Sequence, residues 1–141
     1  MGNYTELVLN VTIKGGTPPD VIDLLRAMAN REVDLTDLPT PDHPFFKTDR
    51  WPMLMSCSSH YFIPFSLSKM ESPDYVSDHY LSTRSDLKNY DNEIDLFAEW
   101  VAPYVDAVGK TFAGYKRYEE DDTPTLLYFE NGKPIWVTVH E

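Results

Sequence analysis

NYDNEIDLFAEWVAPYVDAVG, residues 89–109, is the stretch that decides the fold. Its apolar residues recur at spacings of three, four and seven, which places them on one face of a helix. They are Ile94, Phe97, Ala98, Val101, Val105 and Val108. Asn89, Asp91 or Asn92 is suited to cap the helix start, and Gly109 to end the helix. Pro103 should kink it, because proline removes a backbone donor.

Strand-like runs flank this helix on both sides. Residues 6–14 alternate apolar and polar, as in a strand with one wet face that includes Glu6, and a first helix should run from an N-cap at Thr17 to near Asn30. Further strands are expected at residues 53–58, 61–69, 79–88, 111–118, 125–130 and 133–139. Asn131-Gly132 predicts a type I′ hairpin turn between the last two.

These elements predict an α+β fold. We expect an antiparallel or mixed sheet of about six to seven strands with two helices packed on one face. A ferredoxin-like split β-α-β topology with an added C-terminal hairpin is compatible with this order. Residues 1–141 should form a single domain with an irregular loop at 31–52, which Phe45, Phe46 and Trp51 should attach to the core.

The composition narrows the classes of function. The chain has 23 acidic and 12 basic residues and a formal net charge of −11. Phosphate backbones and anionic membranes repel such a chain, whereas basic proteins are attracted to it. Cys57 is the lone cysteine, and no long apolar run is present, so a cytoplasmic protein without a disulfide is expected.

No catalytic residue, metal site or cofactor is predicted. The four histidines, at positions 43, 60, 79 and 140, show no spacing typical of a zinc site. Cys57 and His60 would point to opposite faces of a strand, which opposes a nucleophile–base pair. A non-catalytic protein is therefore favoured over an enzyme.

An acidic, aromatic surface is the predicted binding site. Aromatic anchors and steering carboxylates together suit a basic protein partner. The candidate residues are Tyr115, Tyr118, Glu119, Glu120, Asp121, Asp122 and Trp136. An exposed strand edge near Pro64 would also allow a homodimer.

Two alternatives remain open. Asp91, Asp95 and Glu99, on one helical face, would let the chain imitate nucleic-acid phosphates and inhibit a basic nucleic-acid-processing enzyme. Alternatively, the loop at 31–52, with Asp42 and His43, would be the lid of a small-molecule site or an active site.

Three segments carry a resemblance to a known group of proteins. RWPMLMSCSS (residues 50–59), SDLKNYDNEIDLFAEWVAPYV (85–105) and YKRYEEDDTPTLLYF (115–129) resemble segments of small accessory proteins encoded by bacteriophages and prophages. The resemblance implies a setting, in which such proteins commonly act by binding a host or competitor protein, and brings no catalytic residue with it.

Overall fold

The computed structural model describes residues 3–31 and 34–139, which form six strands and two α-helices. In chain order these are β1 (Thr5–Ile13), α1 (Pro19–Asn30), β2 (Leu67–Glu71), β3 (His79–Leu87), α2 (Glu93–Val101), β4 (Thr111–Tyr118), β5 (Thr125–Glu130) and β6 (Lys133–Thr138). The predicted α+β class is therefore confirmed.

The strands form one antiparallel sheet in the order β2-β3-β1-β4-β5-β6. A helix follows β1 and another follows β3, so the first four strands and both helices have the ferredoxin-like topology. The hairpin of β5 and β6 extends this sheet beyond β4. Asn131 and Gly132 have φ of 54° and 74°, as the predicted type I′ turn requires.

The helices cover one face of the sheet. Alternate residues of β1, among them Leu7, Leu9 and Ile13, point to this face and are buried. They pack against the apolar sides of α1 and α2 in one cluster of the described residues. Burying a side chain of this size contributes about 1.5–3 kcal/mol, so this layer is the main source of stability.

Part of the long connection before β2 belongs to the same core. Phe45 is fully buried, with its ring centroid 5.3 Å from that of Phe97 and 6.2 Å from that of Trp100. Phe46 and Trp51 pack around it at 4.9 Å and 6.2 Å. The predicted attachment of this loop by its aromatic residues is confirmed.

The helix limits differ from the predicted ones. The residue before the first turn of α1 is Pro18, and the Thr17 hydroxyl makes no hydrogen bond to a described residue. The second α-helix begins at Glu93 and ends at Val101, where the chain passes into a 3₁₀ turn that contains Pro103. Proline therefore ends the α-helix rather than kinking a longer one.

Of the two strands predicted between residues 53 and 69, the first is wrong, and the second is confirmed only at residues 67–69. Met53 ends a 3₁₀ turn, residues 54–56 form a further turn, and between residues 53 and 71 only Leu67–Glu71 is a strand. Ser56 and Cys57 donate their backbone N–H groups to the Met53 carbonyl, which forms a turn in place of a ladder. Apolar side chains do alternate from Tyr61 to Leu67, but this alternation does not come from a strand with one buried face.

Candidate functional site: the open face of the sheet

The face of the sheet away from the helices, here called the open face, carries a charged centre. In the sheet register Glu6 of β1 lies between Asp86 of β3 and Arg117 of β4. Arg84 lies two residues from Asp86 on the same strand and points to the same face. These four residues, the ionic cluster, bring two carboxylates and two guanidinium groups together.

Arg84 is the centre of the ionic cluster. Its Nη2 and Nε atoms donate to Glu6 Oε2 at 2.9 and 3.2 Å, and its Nη1 donates to Asp86 Oδ2 at 3.1 Å. Arg117 approaches Glu6 Oε1 at 3.6 Å. Only 12% of the Arg84 side chain is exposed, so these charges attract each other with little screening by water.

Asp86 is the least well satisfied member of the ionic cluster. It is fully buried, and its Oδ1 atom has no well-formed hydrogen bond to a described residue. Burial raises the pKa of its carboxyl above the ordinary 3.8, although the nearby Ser59 hydroxyl and Arg84 oppose this. The folded protein therefore binds this proton more tightly than the unfolded chain, so the contribution of Asp86 to stability falls as the pH rises above about 4.

The ionic cluster is buried because residues 59–66 cross the open face above it. Arg84 Nη1 donates to the carbonyl oxygens of Ile63 and Phe65, both at 3.1 Å. The Arg117 guanidinium lies 4.9 Å from the centre of the Phe62 ring. Arg84 thus holds the backbone of this irregular segment, and Arg117 contacts one of its side chains.

This segment and the first residue of β2 present apolar side chains to solvent. Tyr61 is 61% exposed, Ile63 45%, Phe65 53% and Leu67 62%. We call these four residues the apolar ridge. Their alternation suggested a strand with a buried face, but the structure shows the opposite: the alternate apolar side chains point outward while the backbone is held by Arg84. Clustered exposed apolar side chains of this kind are typical of interaction sites.

A groove of about 430 Å³ lies beyond the apolar ridge on the open face. It forms where β4 leaves β1 after the Leu9–Gly114 pair, at a bulge in β4. Gly114 is required there, because a Cβ atom would lie 1.9 Å from the Val8 carbonyl oxygen. Asn10, Thr12, Lys69, Glu71, Tyr80 and Phe112 are among the residues that line the groove.

The acidic connection predicted as a contact site borders the apolar ridge. We use this name for Glu119, Glu120, Asp121 and Asp122, between β4 and β5. The Glu119 N–H donates to the Tyr4 carbonyl at 3.0 Å, and the Tyr4 ring lies 6.0 Å from that of Tyr61. Asp121 and Asp122 are exposed. Negative charge is therefore placed at one end of the apolar ridge.

The three aromatic residues predicted with this acidic connection are not on one face. Tyr115 points to the open face, where burial and the nearby Glu6 carboxylate raise the pKa of its hydroxyl. Tyr118 and Trp136 point to the helix side. Trp136 is partly buried against the core, with Lys116 Nζ 4.2 Å from its ring centre.

The carboxylates proposed to imitate phosphates do not form one helical row. Asp91 lies before the start of α2, and its carboxylate accepts the Asp49 N–H at 3.2 Å. Asp95 forms an ion pair with Lys116. Glu99 is exposed on the helix. The three side chains thus differ in environment, and only Asp95 and Glu99 lie on α2.

The remaining candidate side chains make structural contacts. His43 Nδ1 accepts the Phe45 N–H at 3.1 Å, and His79 Nδ1 lies 2.6 Å from Ser72 Oγ. Burial raises the pKa of the Cys57 thiol, and His60 is exposed. His140 lies outside the described residues. Among residues 3–31 and 34–139, no three His, Cys, Asp or Glu side chains converge as a metal site would require.

The region proposed as a lid lies away from the groove. Residues 32 and 33 of the 31–52 loop are outside the described part of the chain. Asp42 is exposed and pairs with Lys47 at 3.4 Å. A separate hollow of about 350 Å³ lies between Ala27, Arg31, Leu35 and Met53, and neither Asp42 nor His43 lines it.

The sequence pattern did not predict the ionic cluster. Alternation placed Glu6 on a wet face, and that prediction is wrong because Glu6 is 5% exposed. A usable signal was present, since Arg84 and Asp86 follow the same alternation in their own run. Knowing that β3 pairs with β1 would have placed all three together, but alternation alone does not say which strands pair.

Comparisons with protein-family models, with curated proteins and with solved structures found no match. Within the described residues, no helix has the length and apolar character needed to cross a membrane. The geometry of the open face is therefore the basis for inferring what the protein does.

Proposed function

We propose that the chain is a non-catalytic, acidic protein-binding domain. In this proposal it captures a protein that has an apolar patch flanked by basic residues, as an accessory protein of the bacteriophage type acting in a host cell. The observation that carries the proposal is that Arg84 holds the backbone carbonyls of Ile63 and Phe65 while the apolar ridge remains exposed.

The fixed backbone supports binding for an energetic reason. Ordering a flexible segment at the moment of association costs part of the binding free energy, so a segment ordered in advance binds more tightly. The apolar ridge contributes little to the stability of the fold, because its side chains remain in water. A bound partner would bury Ile63 and Phe65, whose side chains suit the role of anchors.

The charge at the end of the apolar ridge supports a basic partner. The acidic connection adjoins Tyr4 and Tyr61, and the whole chain carries a net charge of −11. Exposed charges of this kind accelerate encounter and select against acidic partners, and salt screens them. The groove beyond the ridge offers space for one further side chain of the partner.

The experiment is affinity capture from a bacterial lysate at low and high salt, followed by affinity measurement with the purified protein that is captured. We expect the double variant Ile63→Ser/Phe65→Ser to weaken binding by about tenfold or more, as loss of apolar anchors does. The variant Asp121→Lys/Asp122→Lys should slow association and reduce its salt dependence.

A matched charge reversal at two of the carboxylates proposed to imitate phosphates is the control. Asp91→Lys/Glu99→Lys changes the charge by the same amount but leaves the acidic connection intact. It should retain affinity within about twofold. If this variant abolishes capture while the ridge variant binds normally, the proposed surface is wrong and the phosphate-imitating helix is the binding site.

A further inference from the structure

The two edges of the sheet are protected to different extents. At the β2 edge, the Asn30 side chain covers the backbone of Met70: its Nδ2 donates to the Met70 carbonyl at 3.1 Å, and its Oδ1 accepts the Met70 N–H at 2.8 Å. An amide side chain thus occupies the place of a neighbouring strand. Pairing of another chain at this edge, which Pro64 had suggested, would have to displace Asn30.

The β6 edge has no such cover. Glu130 and Lys133 flank the two-residue turn and form a hydrogen-bonded pair. From Lys133 onward, successive residues of β6 therefore direct their backbone N–H and C=O groups alternately toward β5 and away from it. Pro134, Trp136 and Thr138 therefore direct their backbone groups away from β5. No described residue hydrogen-bonds to the outward N–H and C=O groups of Trp136 and Thr138.

We propose that β6 pairs with β6 of a second copy of this chain, antiparallel and about a two-fold axis. In the register centred on Trp136, the two Trp136 residues exchange N–H to C=O bonds. The Thr138 N–H of each copy then donates to the Pro134 carbonyl of the other. The proline lacks an N–H group but keeps its acceptor, so the outward edge is complementary to itself.

The side chains of β6 suit a second copy. Lys133, beside the turn, is the one charged residue of Lys133–Thr138, and antiparallel pairing places it opposite the far end of the partner strand. No like charges then face each other across the junction. Ile135 and Val137 point to the open face and would continue as one apolar strip across both sheets. The apolar ridge, near β2 and β3, stays free.

The association should respond to salt in a characteristic way. Each copy carries a net charge of −11, so the two copies repel each other at long range. Salt screens this repulsion, and self-association should become stronger as ionic strength rises. Capture of a basic partner should change in the opposite direction, which separates the two interactions experimentally.

The test is sedimentation equilibrium of the full chain between roughly 5 and 500 µM, the range in which small interfaces associate. We expect a reversible dimer. Thr138→Pro removes an outward N–H without removing a bond to β5, and should raise the dissociation constant about tenfold or more. Thr138→Ala keeps the N–H group and should leave that constant within about twofold.

Amide hydrogen exchange of the unaltered protein keeps the inference testable if Thr138→Pro fails to fold. The Trp136 and Thr138 amides should become protected as the protein concentration rises through the dissociation constant. A monomer over the whole concentration range would overturn the proposal. A dimer in which these two amides still exchange freely, or one indifferent to Thr138→Pro, would also overturn it.

Discussion

Replacing Arg84 by methionine removes the group that holds the ionic cluster and the apolar ridge together. Methionine has a similar length and no charge, so the change isolates the guanidinium. Glu6 would keep Arg117, at 3.6 Å, and the nearby Tyr115 hydroxyl, and Asp86 would keep the nearby Ser59 hydroxyl. The carbonyls of residues 63 and 65 would lose their donor.

The size of the effect follows from the burial of these carboxylates. Removing one partner of a buried ion pair typically costs about 3–5 kcal/mol, because a charge is left without compensation. Glu6 is 5% exposed and Asp86 is fully buried, so the full range applies. We therefore expect the free energy of unfolding at pH 7 to fall by about 3–5 kcal/mol, a large share of the 5–15 kcal/mol that is usual for a domain.

The loss should depend on pH with a defined sign. Burial already raises the pKa of the Asp86 carboxyl and Arg84 opposes this, so without Arg84 the pKa of Asp86 rises further and the folded variant binds this proton more tightly than its unfolded chain. Its stability is then greatest at low pH and falls as the pH rises. The difference from the unaltered protein should be smaller at pH 4.5 than at pH 7.

Urea denaturation followed by tryptophan fluorescence measures this difference at both pH values. Arg117→Met is the matched control, because its side chain is 38% exposed and meets Glu6 at a longer distance. It should cost no more than about 1 kcal/mol. An Arg84→Met loss below about 1 kcal/mol, or a loss equal to that of Arg117→Met, would refute the central role given to Arg84.

Three further predictions concern single positions. Asp86→Asn should change the free energy of unfolding at pH 7 by less than about 1 kcal/mol, because burial already disfavours the ionised carboxyl. The same variant should also lose less stability than the unaltered protein as the pH rises above about 4. A loss above about 2 kcal/mol in denaturation curves would contradict this. Gly114→Ala should cost at least about 3 kcal/mol or prevent folding, since its Cβ would meet the Val8 carbonyl at 1.9 Å, and unchanged thermal stability would show that the bulge relaxes. Asn30→Ala should lower the free energy of unfolding by about 1–2 kcal/mol and increase self-association, because it uncovers the backbone of Met70. Unchanged association in sedimentation would mean that Asn30 does not protect this edge.

The fold class and much of the topology could be predicted from local signals. The apolar face of residues 94–101 indicated α2, and Asn131-Gly132 gave the final hairpin its turn type. The alternation in β1 identified its buried side. Each of these signals depends on residues close together in sequence, which is why a single chain was enough to find them.

The limits of α2 and the identity of β2 could not be predicted in the same way. Val105 and Val108 continue the apolar spacing past Pro103, but Val105 instead forms a bridge with Ile13 of β1. The alternation of residues 61–67 arises from an irregular segment held by Arg84, whose place on the sheet depends on strand pairing far away in sequence. Tertiary contacts decided both regions.

The candidate site could be predicted only in part. Acidity and exposed aromatic residues suggested a protein partner, and that function stays a prediction. The predicted aromatic residues were divided between two faces, because Tyr115 and Tyr118 are an odd number of positions apart on β4. The ionic cluster joins strands that are distant in sequence, so no local sequence pattern predicted it.

The central claim is that the apolar ridge is fixed in its exposed conformation before any partner arrives. Nitrogen-15 relaxation of the free protein measures this directly at the amides of Tyr61, Ile63, Phe65 and Leu67. We predict order parameters of about 0.8 or higher, close to those of the neighbouring strands. Values below about 0.6 at these amides would show a flexible segment and would contradict the claim.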